Sequence, residues 1–213
     1  MIISKLSKIT GLVLTMTLLT SALSAKTVHL FNGKDLSNWV RENNAQFSVE
    51  DGVIKLNRGR GWLRSKEEFK DFSMTMEFRF LEERANSGIY VRTKNQSNDD
   101  AQGYPNSGYQ VQCMNALSGD VPLGRLFPYE APDFLWVLDR DALHRAYLPT
   151  NEWNTYEITC IGDTISVKLN GILITLGFGM SHPKGHIGIQ GELGLLEFRR
   201  VDVKVLPSPS NQS

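Results

Sequence analysis

The sequence predicts an all-β protein built as a two-sheet antiparallel sandwich. Three observations carry this. Phe72, Met74, Met76, Phe78 and Phe80 alternate with Ser73, Thr75, Glu77 and Arg79, the period of two that belongs to a strand with one apolar face. Short apolar-patterned runs recur along the chain, separated by Asn-Gly, Asp-Gly and Gly-Asp turn signals. Helical patterns are confined to single turns. Many antiparallel strands with alternating faces must bury one face each, and two sheets packed face to face do this.

In chain order, Val28–Phe31 reads as a first strand. Gln46–Glu50 and Val53–Leu56 flank Asp51-Gly52, a hairpin signal because these residues accept positive φ. Trp62–Ser65 follows. Ser65–Phe69 (SKEEF) has the composition of one helical turn capped by Ser65. Next come Phe72–Phe80, Gly88–Arg92 and Gly108–Met114. Asp139–Arg145 (DRDALHR) is a second helical turn. Tyr156–Ile161 and Ile165–Leu169 form a hairpin over Gly162-Asp163, and Asn170-Gly171 turns the chain into Ile172–Leu176. Gly185–Gln190 and Leu195–Val205 close the fold.

Residues 1–25 read as a secretory signal peptide. Lys5 and Lys8 form the basic region, Gly11–Leu19 a short apolar stretch, and Ser21–Ala25 a small-residue cleavage site. The stretch is too short and too threonine-rich for a membrane span. The expected organisation is therefore a signal peptide over 1–25, one β-sandwich domain over 26–206 and a flexible tail over 207–213. The expected location is periplasmic or secreted. Basic and acidic residues are balanced, 23 against 23, with no basic tract, so the electrostatic footprint of nucleic-acid binding is missing. Cys113 and Cys160 lie in apolar-patterned strands and read as buried free thiols.

Parity along each strand assigns a polar face. It holds Glu77 and Arg79, Tyr90 and Arg92, Gln110 and Gln112, Gln190, and Glu197 and Arg199. Carboxylates, guanidinium groups and amides make bidentate hydrogen bonds with sugar hydroxyls, and rings stack on apolar sugar faces. Such a face is either the lining of a groove or ordinary solvated surface. Two connections, Lys94–Asn106 and Ser118–Asn151, are too long for tight turns, and long loops in compact domains are commonly functional. Both flank these strands, which favours a groove. Trp136, in the second connection, is the best stacking platform. The four histidines lack metal-ligand spacing. Asn98, Asp99 and Asp100 have the oxygens for calcium but no glycine-punctuated ligand loop. The residues require no cofactor and leave a divalent metal open.

The ordered segments LFNGKDLSNW, EEFKDFSMTMEFRF, ANSGIYVR, GYQVQ, EWNTYEITCIGDTISVKLNG and HIGIQGELGLLEFRRVDVKVL together resemble the 3-keto-disaccharide hydrolase domain family, over nearly all of the chain after residue 25. The resemblance implies a concanavalin-like jelly roll with its ligand on the concave face. It also implies a carbohydrate partner: a glycoside already oxidised to a ketone at C3, cleaved by C2 deprotonation, β-elimination and hydration. On that reading Glu77 and Glu197 are the candidate base and acid, and Arg92 or Arg79 stabilises the enolate. Tyr90, Gln112 and Gln190 hold hydroxyls. The chain departs from the family pattern at Gln110 and Asn115, where acids are frequent, and at Gln190-Gly191-Glu192, where Gln-Asp-His is frequent. Either Glu192 substitutes for the histidine, or the site takes a different substrate, or the protein is a non-catalytic carbohydrate-binding module on the same fold.

Overall fold

A computed structural model describes residues 26–94 and 103–207. Residues 1–25, expected to be a signal peptide, Asn98, Asp99, Asp100 and the residues beyond Pro207 lie outside the described residues. The strands are β1 (Thr27–His29), β2 (Trp39–Asn43), β3 (Gln46–Glu50), β4 (Val53–Arg58), β5 (Gly61–Phe69), β6 (Phe72–Phe80), β7 (Asn86–Thr93), β8 (Gly108–Met114), β9 (Leu126–Tyr129) and β10 (Leu135–Leu138). After the helix α1 (Arg140–Ala146) come β11 (Asn154–Ile161), β12 (Thr164–Leu169), β13 (Ile172–Phe178), β14 (Gly185–Gly191) and β15 (Leu196–Val205). Among the described residues they form two antiparallel sheets, as in the concanavalin-like jelly roll. Sheet I runs β10-β13-β12-β11-β6-β15-β4-β3, with β1 on β15, and sheet II runs β2-β5-β14-β7-β8-β9.

The core lies between the sheets. Every second residue of β6, from Phe72 to Phe80, is buried there, against Tyr156, Ile158 and Cys160 of β11 and Phe198, Val201 and Val203 of β15. Removing such side chains from water stabilises the fold by roughly 1.5–3 kcal/mol apiece. Cys113 and Cys160 are buried and unpaired. Asp51-Gly52 and Asn170-Gly171 have positive φ at both positions, as a two-residue hairpin turn requires.

The two sheets differ in their second face. Outward residues of β6 stay partly exposed, so that face of sheet I meets solvent. In sheet II, β14 is buried at every position, β7 at all but its first and β8 at all but its last. An antiparallel sheet buried on both sides has something covering its polar face. Here the cover includes Tyr104, in the connection after β7.

Two local expectations differ from the structure. Ser65–Phe69 is strand, not helix. It completes β5, where β14 pairs His186 with Glu68 but Gly188 with Arg64, so the extra residues bulge out. Ser65 Oγ caps this irregularity, accepting from Ile187 N and donating to Glu67 O. Ladder pairing on both sides overrides a helical propensity of a few tenths of a kcal/mol per residue. The Ser118–Asn151 connection contains β9, β10 and α1. The helix forms where DRDALHR placed it, with Asp139 as N-cap accepting from Ala142 N at 2.9 Å. Among the described residues no helix is long and apolar enough to cross a membrane.

Candidate functional site

Cross-strand register decides which side chains share the covered face of sheet II. Gln190 lies opposite Trp62, Gly188 opposite Tyr90, Tyr90 opposite Gln110, and Gly88 opposite Gln112. Opposed residues of an antiparallel pair project to the same side. The face therefore carries Trp62 of β5, Gln190 of β14, Asn86 and Tyr90 of β7, and Gln110 and Gln112 of β8. Tyr129 joins from the end of β9, and Glu192 from the turn after β14.

These residues form a hydrogen-bonded chain with one direction. Tyr129 Oη donates to Gln110 Oε1 at 2.7 Å. Gln110 Nε2 donates to Gln112 Oε1 at 3.0 Å and to Gln190 Oε1 at 3.1 Å. Gln112 Nε2 donates to Asn86 Oδ1 at 3.0 Å, and Asn86 Nδ2 donates to Glu192 Oε2 at 2.6 Å. Each amide polarises the next, and the series ends on a carboxylate. Two glycines make room for it. A Cβ on Gly88 would sit 2.2 Å from Gln110 Nε2, and one on Gly188 would sit 2.5 Å from Trp62 Cε3.

Glu192 is a carboxylate whose charge the surroundings resist. Burial raises its carboxyl above the ordinary range, while Arg60 and the Asn86 hydrogen bond pull it back. Burial, followed by the negative charge of Glu192, pushes Tyr129 up to about 12. The same two causes lead for Tyr104, also pushed up to about 12, and Tyr104 Oη donates to Gly191 O. At neutral pH these phenols are donors. Glu192, Arg60 and Glu82 line a cavity of about 420 Å³ at the rim of the face. A carboxylate beside a cavity with a raised pKa and a cationic neighbour has the properties of an acid–base residue.

The other residues expected in the site are elsewhere. Glu77, Arg79, Glu197 and Arg199 lie on the solvent face of sheet I. Arg79 pairs with Glu197 at 2.6 Å, and Arg199 pairs with Glu77. The two arginines flank the Trp153 ring at 4.8 and 4.3 Å. The hydrophobic core separates this cluster from Gln110, Gln112 and Gln190, so the two sets do not converge. Arg92 is also outside the site. Between Tyr90 opposite Gly188 and Thr93 opposite His186, two residues of β7 face Ile187 alone. This bulge gives Arg92 a φ of 51° and directs its side chain away from the covered face, to full burial against Asp71. Trp136 is on β10, half-buried against the core, with Arg125 at 5.4 Å from its ring.

Of the expected residues, the structure brings together Tyr90, Gln110, Gln112, Gln190 and Glu192. Sequence reasoning missed Asn86, Arg60, Tyr104 and Tyr129. Parity counted back from Gly88 would have reached Asn86. Tyr104 and Tyr129 are recruited by pairing and packing that no local pattern encodes.

A family model for the 3-keto-alpha-glucoside-1,2-lyase-like domain matches residues 26–204. The chain belongs to this family. No curated protein matches it. Among solved structures, it is similar to a protein assigned as a glycosyl hydrolase in Parabacteroides distasonis, at 23% identity and a TM-score of 0.60, covering 85% of this chain and 100% of that one. A carbohydrate-binding module, CBM66 from Bacillus subtilis, matches at 13% identity and a TM-score of 0.51 over 78% and 94% of the two chains. The exoplasmic/lumenal domain of VIP36 in a Ca2+/Man2-bound form matches at 9% and 0.60 over 89% and 92%. At these identities the structural likeness speaks for the fold. Together with the family, these neighbours place the lyase-like domain among carbohydrate-related proteins.

Proposed function

We propose that this protein is an exported enzyme that cleaves 3-keto-glycosides on the covered face of sheet II, with Glu192 as its acid–base residue. The observation that carries the reading is the directed chain from Tyr129 through Gln110, Gln112 and Asn86 to a carboxylate beside a cavity. Membership of the 3-keto-alpha-glucoside-1,2-lyase-like family supports the substrate class.

The chemistry follows from the ketone. A C3 carbonyl acidifies the C2 hydrogen, and Glu192 takes it as a proton. The C2–H electron pair forms C2=C3, and the carbonyl pair moves onto oxygen. The oxygen then re-forms C3=O, the C2=C3 pair shifts to C1=C2, and the C1–O bond breaks with its electrons on the leaving group. That oxygen takes the proton back from Glu192. Water adds its hydroxyl to C1 and a proton to C2, completing a net hydrolysis. Acid–base transfer of this kind contributes typically 10²–10⁴-fold. Arg60 balances the carboxylate. Gln112 and Asn86 each commit one amide N–H to the chain, which leaves each a second donor for sugar hydroxyls.

The test uses a 3-keto-glucoside with a chromogenic leaving group. Wild type should release it and exchange the C2 hydrogen with deuterated solvent, and Glu192→Gln should abolish both. No release and no exchange by wild type would sink the enzymatic reading. The amides at Gln110 and Asn115, where the family pattern frequently has acids, favour one alternative, a non-catalytic carbohydrate-binding module, and calorimetric binding without turnover would establish it. For export, a mature N-terminus near Lys26 in the periplasm or medium is the expected result.

A further inference from the structure

We propose that the Trp62 Nε1–H and the Tyr90 hydroxyl form a two-donor slot for the carbonyl oxygen of the keto sugar. This rests on the function proposed above and names the group that takes the charge when C2 is deprotonated. Five buried side-chain polar atoms among the described residues lack a hydrogen-bond partner, and Trp62 Nε1 and Tyr90 Oη are two of them. Both side chains are fully buried. Buried tryptophan and tyrosine ordinarily find partners, and each orphaned group destabilises the fold. Two orphans on neighbouring residues of one polar face mark a place where the partner comes from outside.

The pair is built, not incidental. Trp62 and Tyr90 meet edge to face with ring centroids 5.6 Å apart. They meet above Gly188, where any side chain would collide with the indole. The adjacent amides, Gln190 opposite Trp62 and Gln110 opposite Tyr90, bond each other and leave the two donors alone. Tyr104 packs on the pair and is tied back to Gly191 O, so an entering oxygen displaces the Tyr104 ring.

The donor count selects the ligand group. An indole N–H only donates. Burial, reinforced by Tyr129, Tyr104 and Glu192, holds the Tyr90 phenol protonated. A carbonyl oxygen accepts from both and has no proton of its own to place. A sugar hydroxyl would have to donate as well, leaving one of three protons without an acceptor. Donors fixed in a dry site, aimed where negative charge develops, are worth more than the same donors in water. Glu192 accepts at 2.6 Å from Asn86, which shares β7 and its covered face with Tyr90, so base and oxygen slot belong to one site.

The experiment compares wild type with Tyr90→Phe, which removes the O–H and keeps the ring, and with Trp62→Phe. Chromogenic 3-keto-glucoside and the corresponding 3-hydroxy glucoside are the probes. Tyr90→Phe should melt at or above the wild-type temperature, because an orphaned group is gone. Its kcat/KM on the keto substrate should fall about 10²–10³-fold, the loss typical of one oxyanion donor. C2 exchange should fall in parallel, while calorimetric affinity for the 3-hydroxy glucoside stays within twofold. Trp62→Phe should show the same selectivity between the two sugars. If Tyr90→Phe keeps wild-type turnover, or loses affinity equally for both sugars, the slot is a water site or plain packing and the inference falls alone. A lower melting temperature for Tyr90→Phe means the hydroxyl already has a partner, and overturns it too. If wild type neither binds nor cleaves the keto substrate, the functional reading falls and takes the slot with it.

Discussion

Replacing Arg92 with methionine tests the placement of the most deceptive residue in this chain. The guanidinium is 0% and its Asp71 partner 1% exposed, with Nη2 at 3.1 Å from Asp71 Oδ1. Arg92 also donates from Nε to Lys70 O at 2.9 Å, and from Nη1 to Gly162 O at 2.6 Å and His182 O at 3.2 Å. Methionine fills much of the volume but leaves three carbonyls without a charged donor and the Asp71 carboxylate without its cation. Its Oδ1 would keep only Gly162 N, and Oδ2 has no partner at all. Removing one member of a buried pair costs about 3–5 kcal/mol, a large part of the roughly 5–15 kcal/mol that holds a domain folded. At roughly 2–4 °C per kcal/mol for a chain of this size, the melting temperature should drop by roughly 6–20 °C. Urea unfolding followed by tryptophan fluorescence measures the loss. Asp71→Asn in the Arg92→Met background should return about 1–3 kcal/mol, because the unpaired charge is gone. Turnover per folded molecule should be unchanged. A loss below about 1 kcal/mol, or lost turnover with stability intact, would refute the reasoning and return Arg92 to the site.

Glu192→Gln should lose turnover and also change the pH dependence of stability. The folded carboxyl titrates above its unfolded value, so its contribution is complete below the unfolded pKa and is lost as pH rises through the folded one. The variant should match wild type at pH 4 and melt higher at pH 8, and thermal melts across that range check this. Gly88→Ala should cost about 1–3 kcal/mol, since its Cβ pushes the buried Gln110 side chain off its partners Tyr129, Gln112 and Gln190, and it should break the amide chain and turnover with it. Gly188→Ala meets the Trp62 ring and, at 3.0 Å, the Leu63 carbonyl. It should cost about 1–3 kcal/mol and shift the tryptophan emission. Glu77→Gln should leave turnover intact and change stability by less than about 1 kcal/mol, as expected where both arginine partners, Arg199 and Arg200, are about half exposed.

The strands were legible because the period of two is local. Phe72–Phe80 and Gly108–Met114 occupy the predicted residues, and the Asp51-Gly52 and Asn170-Gly171 turns follow from backbone freedom at those positions. β2, β9 and β10 were not legible. They are short, and their pairing partners, not their own patterns, make them strands.

By itself the sequence determined each strand's polar face: Gln110 and Gln112 share a face of β8, and Glu77 and Arg79 share one of β6. It held no record of which faces would become neighbours. Sheet membership decides that, and membership is a property of long-range pairing. Glu77 and Glu197 went to the outer face of sheet I, while Gln110, Gln190 and Asn86 went to sheet II and a covered face. A core of packed side chains now lies between two sets with the same chemical character. Arg92 shows the same limit within one strand. Parity places it beside Tyr90, but the bulge opposite Ile187 turns it to Asp71, and bulges arise from register between strands. Only the tertiary structure could bring Trp62, Tyr90 and Glu192 to one place and leave two donors there without acceptors.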